Sequence, residues 1–229
     1  LNYRVLALLP ATYRRWAACR LHDLEPWIQS WNVDGIFAGV SGQGADDASY
    51  TTSVDLEHAK LFGIDLIGAA VDLFKCFDQI RLNLLYSILS TMGFPIKILD
   101  AYLRYHEQVQ YYNGIGPFLG QPHTHPCGIP QGCPLSMMFV AILMCPWLVA
   151  LNTMGVTARI LADDLLITAI GENAQNNFTT AMNFTFEYVN DMGARLSPKK
   201  CYTFATNSTH RQWLKHHVWD GSNATIALV

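Results

Sequence analysis

Leu66-Ile67-Gly68-Ala69-Ala70-Val71-Asp72-Leu73-Phe74 is an apolar run interrupted near its end by one carboxylate. A continuous run of this length reads as a buried strand, so Leu66 to Phe74 is expected to form one, with Asp72 close to its end. Downstream, Arg159 to Ala162 and Leu165 to Ile170 are two further apolar runs on either side of Asp163-Asp164. Their spacing predicts a hairpin with the two acids at its tip. Ionised carboxylates in apolar surroundings are costly unless a cation or a hydrogen-bonding network compensates them. Asp72, Asp163 and Asp164 therefore predict a bound divalent cation.

Working outward, Tyr3 to Trp31 reads as a strand or turn followed by a helix, with Pro26 breaking the pattern. Gly35 to Asp47 reads as a loop and Ala48 to Gly63 as a helix. Ile80, Leu84, Ile88 and Met92 recur at helical spacing before Gly93 and Pro95, which predicts a helix from Gln79 to Met92. Asp78 is expected to cap it. A second helix follows from Pro95 to about Tyr105. Val109 to Leu119 reads as a hairpin and Gln121 to Gly132 as a loop. Leu135 to Leu151 is apolar throughout, yet it falls short of the ~20 residues a membrane span needs and contains Pro146, so a buried helix is expected. Asn173 to Met192 reads as an amphipathic helix and Arg195 to Phe204 as a strand, which completes an α+β pattern.

The chain has 229 residues, 51% of them hydrophobic, enough for a sizeable core and too many for a disordered tail. A formal net charge of −3 argues against a strongly basic nucleic-acid binder. Leu1 and the apolar Thr225-Ile226-Ala227-Leu228-Val229 read as cut ends of a longer protein. Six cysteines without a C-x-x-C pair, and no signal peptide, favour a reducing intracellular setting, nuclear or cytoplasmic. The sequons at Asn177, Asn183, Asn207 and Asn223 read as chance tripeptides. His123, His125 and Cys127 look superficially like a zinc cluster but lack a matching second half, and read as loop.

Asp72-Leu73-Phe74-Lys75-Cys76-Phe77-Asp78, Gly128 to Ser136 (Gly-Ile-Pro-Gln-Gly-Cys-Pro-Leu-Ser), Leu161-Ala162-Asp163-Asp164 and Gly193 to Lys200 follow one another in an order that carries a resemblance. The chain resembles the fingers and palm of reverse transcriptases, most of all those of non-LTR retrotransposons. These boxes are similar to the family's D-x-x-K-A-F-D, G-x-x-Q-G-x-P-L-S, aromatic-x-D-D and G-x-x-L-N-x-x-K segments, and Asn2 to Leu9 is similar to its N-Y-R-P-I-x-L-L finger segment.

The resemblance implies a right-hand polymerase fold whose palm is a ferredoxin-like antiparallel sheet backed by helices. Fingers would occupy residues 1–64 and 107–130, and palm 65–106 and 131–229, truncated before the primer grip and thumb. It further implies RNA-templated DNA synthesis by nucleotidyl transfer, with two Mg2+ ions, or Mn2+ as a substitute, held by Asp72, Asp163 and Asp164. Lys200, or Lys199 in its place, would stand near the leaving pyrophosphate. Leu73, Phe77, Gln131, Gly132 and Arg4 would contact the incoming deoxynucleoside triphosphate, Phe77 by clashing with a 2′-hydroxyl. Partners would be an RNA template with a DNA or RNA primer, and no membrane.

Departures from the family pattern are Gln43 where the fingers usually carry a basic residue, Leu161 for an aromatic, Ser197 for Asn and Val5 for Pro. The fragment alone is expected to be inactive. A palm-derived RNA-binding scaffold that no longer catalyses would have lost the carboxylates, and a viral RNA-copying polymerase would usually show Gly-Asp-Asp. This chain keeps all three acids and has Ala162 before them.

Overall fold

The computed structural model describes residues 7–125, 127–221 and 225–229. In chain order these form α1 (Ala11–Asp23), α2 (Glu25–Trp31), α3 (Ala45–Leu61), β1 (Leu66–Asp72), α4 (Cys76–Gln79), α5 (Leu82–Thr91) and α6 (Ile96–Gln108). There follow β2 (Gly114–Ile115), β3 (Phe118–Leu119), α7 (Ser136–Asn152), β4 (Thr157–Leu161), β5 (Asp164–Ile170), α8 (Ala174–Asp191), β6 (Tyr202–Ala205), α9 (Ser208–His216) and β7 (Ala227–Leu228).

The main sheet runs β4-β5-β1-β6-β7. β1 lies between β5 and β6 and is antiparallel to both, while β4 pairs antiparallel with β5. This is the expected ferredoxin-like order. The short β7 joins β6 in parallel, so the sheet is not antiparallel throughout. Side chains alternate between faces along a strand, and this divides the sheet cleanly. Ile67, Ala69, Val71 and Leu73 of the β1 segment share one face with Leu165, Ile167 and Ala169 of β5, and all are buried in the core. On the sheet, α8 packs on β5 and β1, α7 packs on β4, and the two helices pack on each other. The opposite face carries Asp72, Ala70 and Gly68, facing Asp164, Leu166 and Thr168.

On that second face Gly68 lies opposite Phe204, and a Cβ at Gly68 would come within 2.3 Å of the Phe204 ring. An aromatic laid across a strand glycine restores the packing that the glycine omits. The apolar α7 is buried on nearly all sides, which is why its sequence shows no amphipathic stripe. Pro146 sits inside it and removes one helical hydrogen bond. Neighbouring polar contacts secure the helix to α8: Trp147 Nε1 donates to Thr185 Oγ1 at 3.0 Å, and the Tyr188 hydroxyl donates to the Leu143 carbonyl at 2.5 Å. No helix among the described residues is long and apolar enough to cross a membrane.

The free edge of β4 is covered by the loop before α3. Phe37 N–H donates to the Ile160 carbonyl at 2.8 Å and Ile160 N–H to Gly35 at 2.7 Å. Gly35 has φ +103°, a left-handed conformation that suits glycine, and a Cβ there would meet the Ala158 carbonyl at 2.8 Å. α3 itself is tied to β4 by an ion pair, Arg159 Nη2 to Asp55 Oδ2 at 2.6 Å, in which the Arg159 side chain is only 10% exposed. Removing the carboxylate strands a buried guanidinium. Asp55→Asn is expected to lower unfolding free energy by about 2 kcal/mol, below the fully buried range because Asp55 is partly exposed. Urea denaturation reads this, and a loss under about 0.5 kcal/mol, the usual scatter of surface changes, would rule out a structural role for the pair.

Several expectations shift. α3 begins at Ala45, three residues early, because Asp47 accepts the Gly44 N–H at 2.8 Å and starts the helix inside the Gly-rich stretch. The helix expected over Gln79 to Met92 is split into α4 and α5 by extended backbone at Ile80 and Arg81. Asp78 lies exposed within α4 and does not cap α5, whose N-cap is Arg81. The strand expected over Arg195 to Phe204 is broken by turns at Pro198 to Lys200, leaving a bridge at Leu196 and then β6. α9 was not expected at all.

Candidate active site

β1 delivers Asp72 to the end of its pairing with β5, directly opposite Asp164. Cross-strand partners point to the same face, so these two carboxylates share one side of the sheet. Like charges so placed repel unless a cation lies between them. Asp163 stands at the hairpin corner beside them. Its carbonyl accepts the Leu73 N–H at 3.4 Å, so the corner is hydrogen-bonded onto the residue that follows Asp72.

The tip of that hairpin differs from expectation by one residue. Leu161 pairs with Asp164, so the two-residue turn is Ala162-Asp163 and Asp164 already belongs to β5. Ala162 adopts φ +59°, unusual for a residue with a Cβ. Such strain, of order 1 kcal/mol, persists where surrounding structure imposes it and clusters at functional sites. Here the β1–β5 register imposes it.

Beneath the acids lies Cys76, 6% exposed. Its thiol is pushed up to about 12, first by burial and then by the nearby Asp163, Asp72 and Asp78 carboxylates. The thiol is therefore neutral, and its surroundings record that Asp72 and Asp163 converge. Lys200 Nζ lies 3.1 Å from Asp72 Oδ1, with the Asp72 side chain 13% exposed and that of Lys200 60%. Lys200, not the exposed Lys199, is thus the lysine at the acids. The other Asp72 oxygen, Oδ2, is buried with no hydrogen-bond partner, which is unfavourable for a carboxylate.

That orphaned oxygen, two facing carboxylates and a third at the corner form an all-oxygen donor set suited to Mg2+. Among the described residues no three His, Cys, Asp or Glu side chains are already gathered for an ion. The fit is to a cation that takes one or two protein carboxylates and completes its shell with phosphate and water.

The remaining expected residues are placed as follows. Phe77 is half-buried in α4, and its carbonyl accepts the Ile129 N–H at 2.8 Å. Gly128, at φ +93°, passes so close to α4 that a Cβ would lie 3.0 Å from the Phe77 carbonyl. The Gln131 box therefore lies directly against the Phe77 segment. The Gln131 carbonyl accepts the Ala7 N–H at 3.3 Å, and Gly132 is exposed at φ +115°. Strand alternation turns the Leu73 side chain away from Asp72 into the core, 1% exposed, which leaves its main chain at the border of the site. Arg4 lies outside the described residues.

The sequence reading missed two features. Arg195 stacks on Phe74, its Cζ 4.2 Å from the ring centroid. Below the Gln131 box, the Tyr13 hydroxyl lies 3.2 Å from Cys133 Sγ and 2.9 Å from Nε2 of the buried His106, whose Nδ1 is 3.3 Å from the Tyr111 hydroxyl. Burial pushes His106 down to about 4. Only the alternation around Leu196 could have flagged the first, and nothing local flags the second.

The family model for reverse transcriptase (RNA-dependent DNA polymerase) matches residues 2–218. No curated protein matches the chain. Among solved structures, telomerase from Candida tropicalis in complex with a TWJ fragment of telomeric RNA is similar with TM-score 0.57 at 13% identity, over 86% of this chain and 33% of that one. The apo telomerase of Candida tropicalis truncated from its C-terminal domain gives TM-score 0.58 at 13% identity, over 86% and 41%. The chain thus spans between a third and about two fifths of these proteins, and the likeness is one of fold.

Proposed function

The chain belongs to the reverse transcriptase (RNA-dependent DNA polymerase) family, and we propose that it forms the fingers and palm of an enzyme that copies RNA into DNA. The observation that carries this is the meeting of Asp72, Asp163 and Asp164 where β1 pairs with β5, with one Asp72 oxygen buried and unpartnered. Non-LTR retroelement origin rests on the order and wording of the motif boxes. The reading as a scaffold that does not catalyse would be favoured by loss of the carboxylates, and the chain keeps all three.

Asp72, Asp163 and Asp164 would hold two Mg2+ ions, which when bound neutralise phosphate charge and lower the pKa of the primer hydroxyl. The protein's own part is positioning. Gln131 would help place the incoming nucleotide, and the left-handed Gly132 would let backbone approach it closely, beside the Phe77 segment. Lys200 Nζ lies 3.1 Å from Asp72 Oδ1, where it would meet the departing pyrophosphate. An RNA strand paired to a DNA or RNA primer would be held through backbone and shape.

The test is primer extension by the protein that carries this chain, on an RNA template with deoxynucleoside triphosphates and Mg2+. Template-dependent DNA product that disappears on chelation is expected. Incorporation of ribonucleotides alone, or none by a folded protein, would overturn the reading. Within it, Phe77→Val removes the ring of the segment whose main chain lies against the Gln131 box, and ribonucleotide incorporation relative to deoxynucleotide is expected to rise by at least about tenfold. An unchanged sugar preference in single-nucleotide insertion assays would dismiss Phe77 as the gate.

A further inference from the structure

We propose that Arg195 binds the phosphates of the incoming nucleoside triphosphate, an assignment that rests on the polymerase reading above. Beyond the end of β1 the chain continues to pair antiparallel with the segment before β6. Ser197 N–H donates to the Asp72 carbonyl at 2.8 Å, Phe74 N–H donates to the Arg195 carbonyl at 2.9 Å, and Leu73 bridges Leu196 between them. Asp72 thus faces Ser197 and Phe74 faces Arg195. Leu73 and Leu196 are buried, 1% and 9% exposed. By alternation, Phe74 and Arg195 project to the side that carries the Asp72 carboxyl, one pleat further on, roughly 7 Å along the strand.

The Arg195 side chain is held in place there. Its guanidinium lies 4.2 Å from the Phe74 ring centroid, and Lys75 Nζ approaches the same ring at 5.8 Å. Stacking on an aromatic face orders the planar fork while leaving its N–H edges free for a second partner. Phosphate oxygens are the partner that such a fork fits bidentately. Lys75 is exposed and has φ +45°, a strained conformation for a residue with a Cβ. With Lys200 on Asp72, basic side chains then stand both at Asp72 and one pleat beyond it, in a chain whose formal net charge is −3.

Steady-state single-nucleotide insertion by the protein that carries this chain, with Arg195→Gln and Arg195→Lys, tests the assignment. The KM for the deoxynucleotide is expected to rise about tenfold in R195Q and less in R195K, with kcat falling by a smaller factor. Inhibition by inorganic pyrophosphate should weaken in parallel, and the Kd for template-primer should stay within about twofold of wild type. An unchanged KM beside an active wild type would overturn the role. A weakened duplex Kd at constant KM would overturn it too, by giving the guanidinium to the nucleic-acid backbone. Should the wild type extend no primer, the polymerase reading fails separately. Calorimetric titration with deoxynucleoside triphosphate then decides Arg195: about tenfold weaker binding by R195Q supports the site, and equal binding overturns it.

Discussion

Asp163→Asn is expected to lower primer extension by about a thousandfold while leaving the fold intact. The two halves of that expectation have different causes. The side chain at the hairpin corner stands beside the Asp72–Asp164 pair at the β1–β5 end, and an amide in its place removes a carboxylate from the site proposed above to hold hard cations. The backbone is indifferent to the change. The Asp163 group bonded to Leu73 is its carbonyl, which asparagine keeps, and asparagine suits turn positions as well as aspartate does. Thermal unfolding of the variant should therefore coincide with wild type. Extension within tenfold of wild type would show that the corner carboxylate takes no part in the chemistry, and a collapsed Tm would show that its role is structural.

How far the sequence reaches depends on whether local pattern or long-range pairing decides a feature. β1, the β4–β5 hairpin and α7 were legible because each is an apolar run long enough to be buried, and burial is written in composition. The tip of the hairpin was not. Asp-Asp is the better turn former, so local chemistry favours Asp163-Asp164, whereas the register with β1 draws Asp164 into the strand and forces Ala162 to φ +59°. Local preference yields there to the pairing that sets the acids face to face. α9 was missed for the converse reason. Ser208 to His216 is mostly polar, and only Leu214 is buried, so its apolar stripe is too narrow to read, although Asn207 accepts the His210 N–H at 2.7 Å as a helix N-cap would. The acids at the site could be named in advance because ionised groups inside strands demand an explanation. Arg195 could not, because an exposed arginine demands none.

The contact between α1, α6 and the Gln131 box is expected to make stability acid-sensitive through one residue, His106. The ring is 5% exposed and packed among aromatics: Tyr13, Tyr102 and Tyr105 all lie with ring centroids within 5.5 Å of it. A neutral imidazole offers one donor and one acceptor, which match the hydroxyls of Tyr13 and Tyr111. Protonation makes both nitrogens donors and obliges whichever tyrosine hydroxyl had donated to the ring to turn its proton elsewhere; Tyr13 has Cys133 Sγ as its other partner at 3.2 Å. Burial resists that charge and holds the folded-state pKa at about 4, against the ordinary 6.5. The unfolded chain therefore takes up a proton first as pH falls. The stabilising contribution is complete above about 6.5, declines through the window from 6.5 to 4, and is gone below it, a difference of about 3 kcal/mol. His106→Gln keeps a donor and an acceptor without a titrating group, so the slope of unfolding free energy against pH, measured by urea denaturation from pH 7 to 4, should flatten by about that amount relative to wild type. Parallel slopes in the two proteins would mean that the ring is already charged or reached by water in the native state. Because Cys133 follows Gln131-Gly132 directly, the same titration should reach the Gln131 box before the fold gives way.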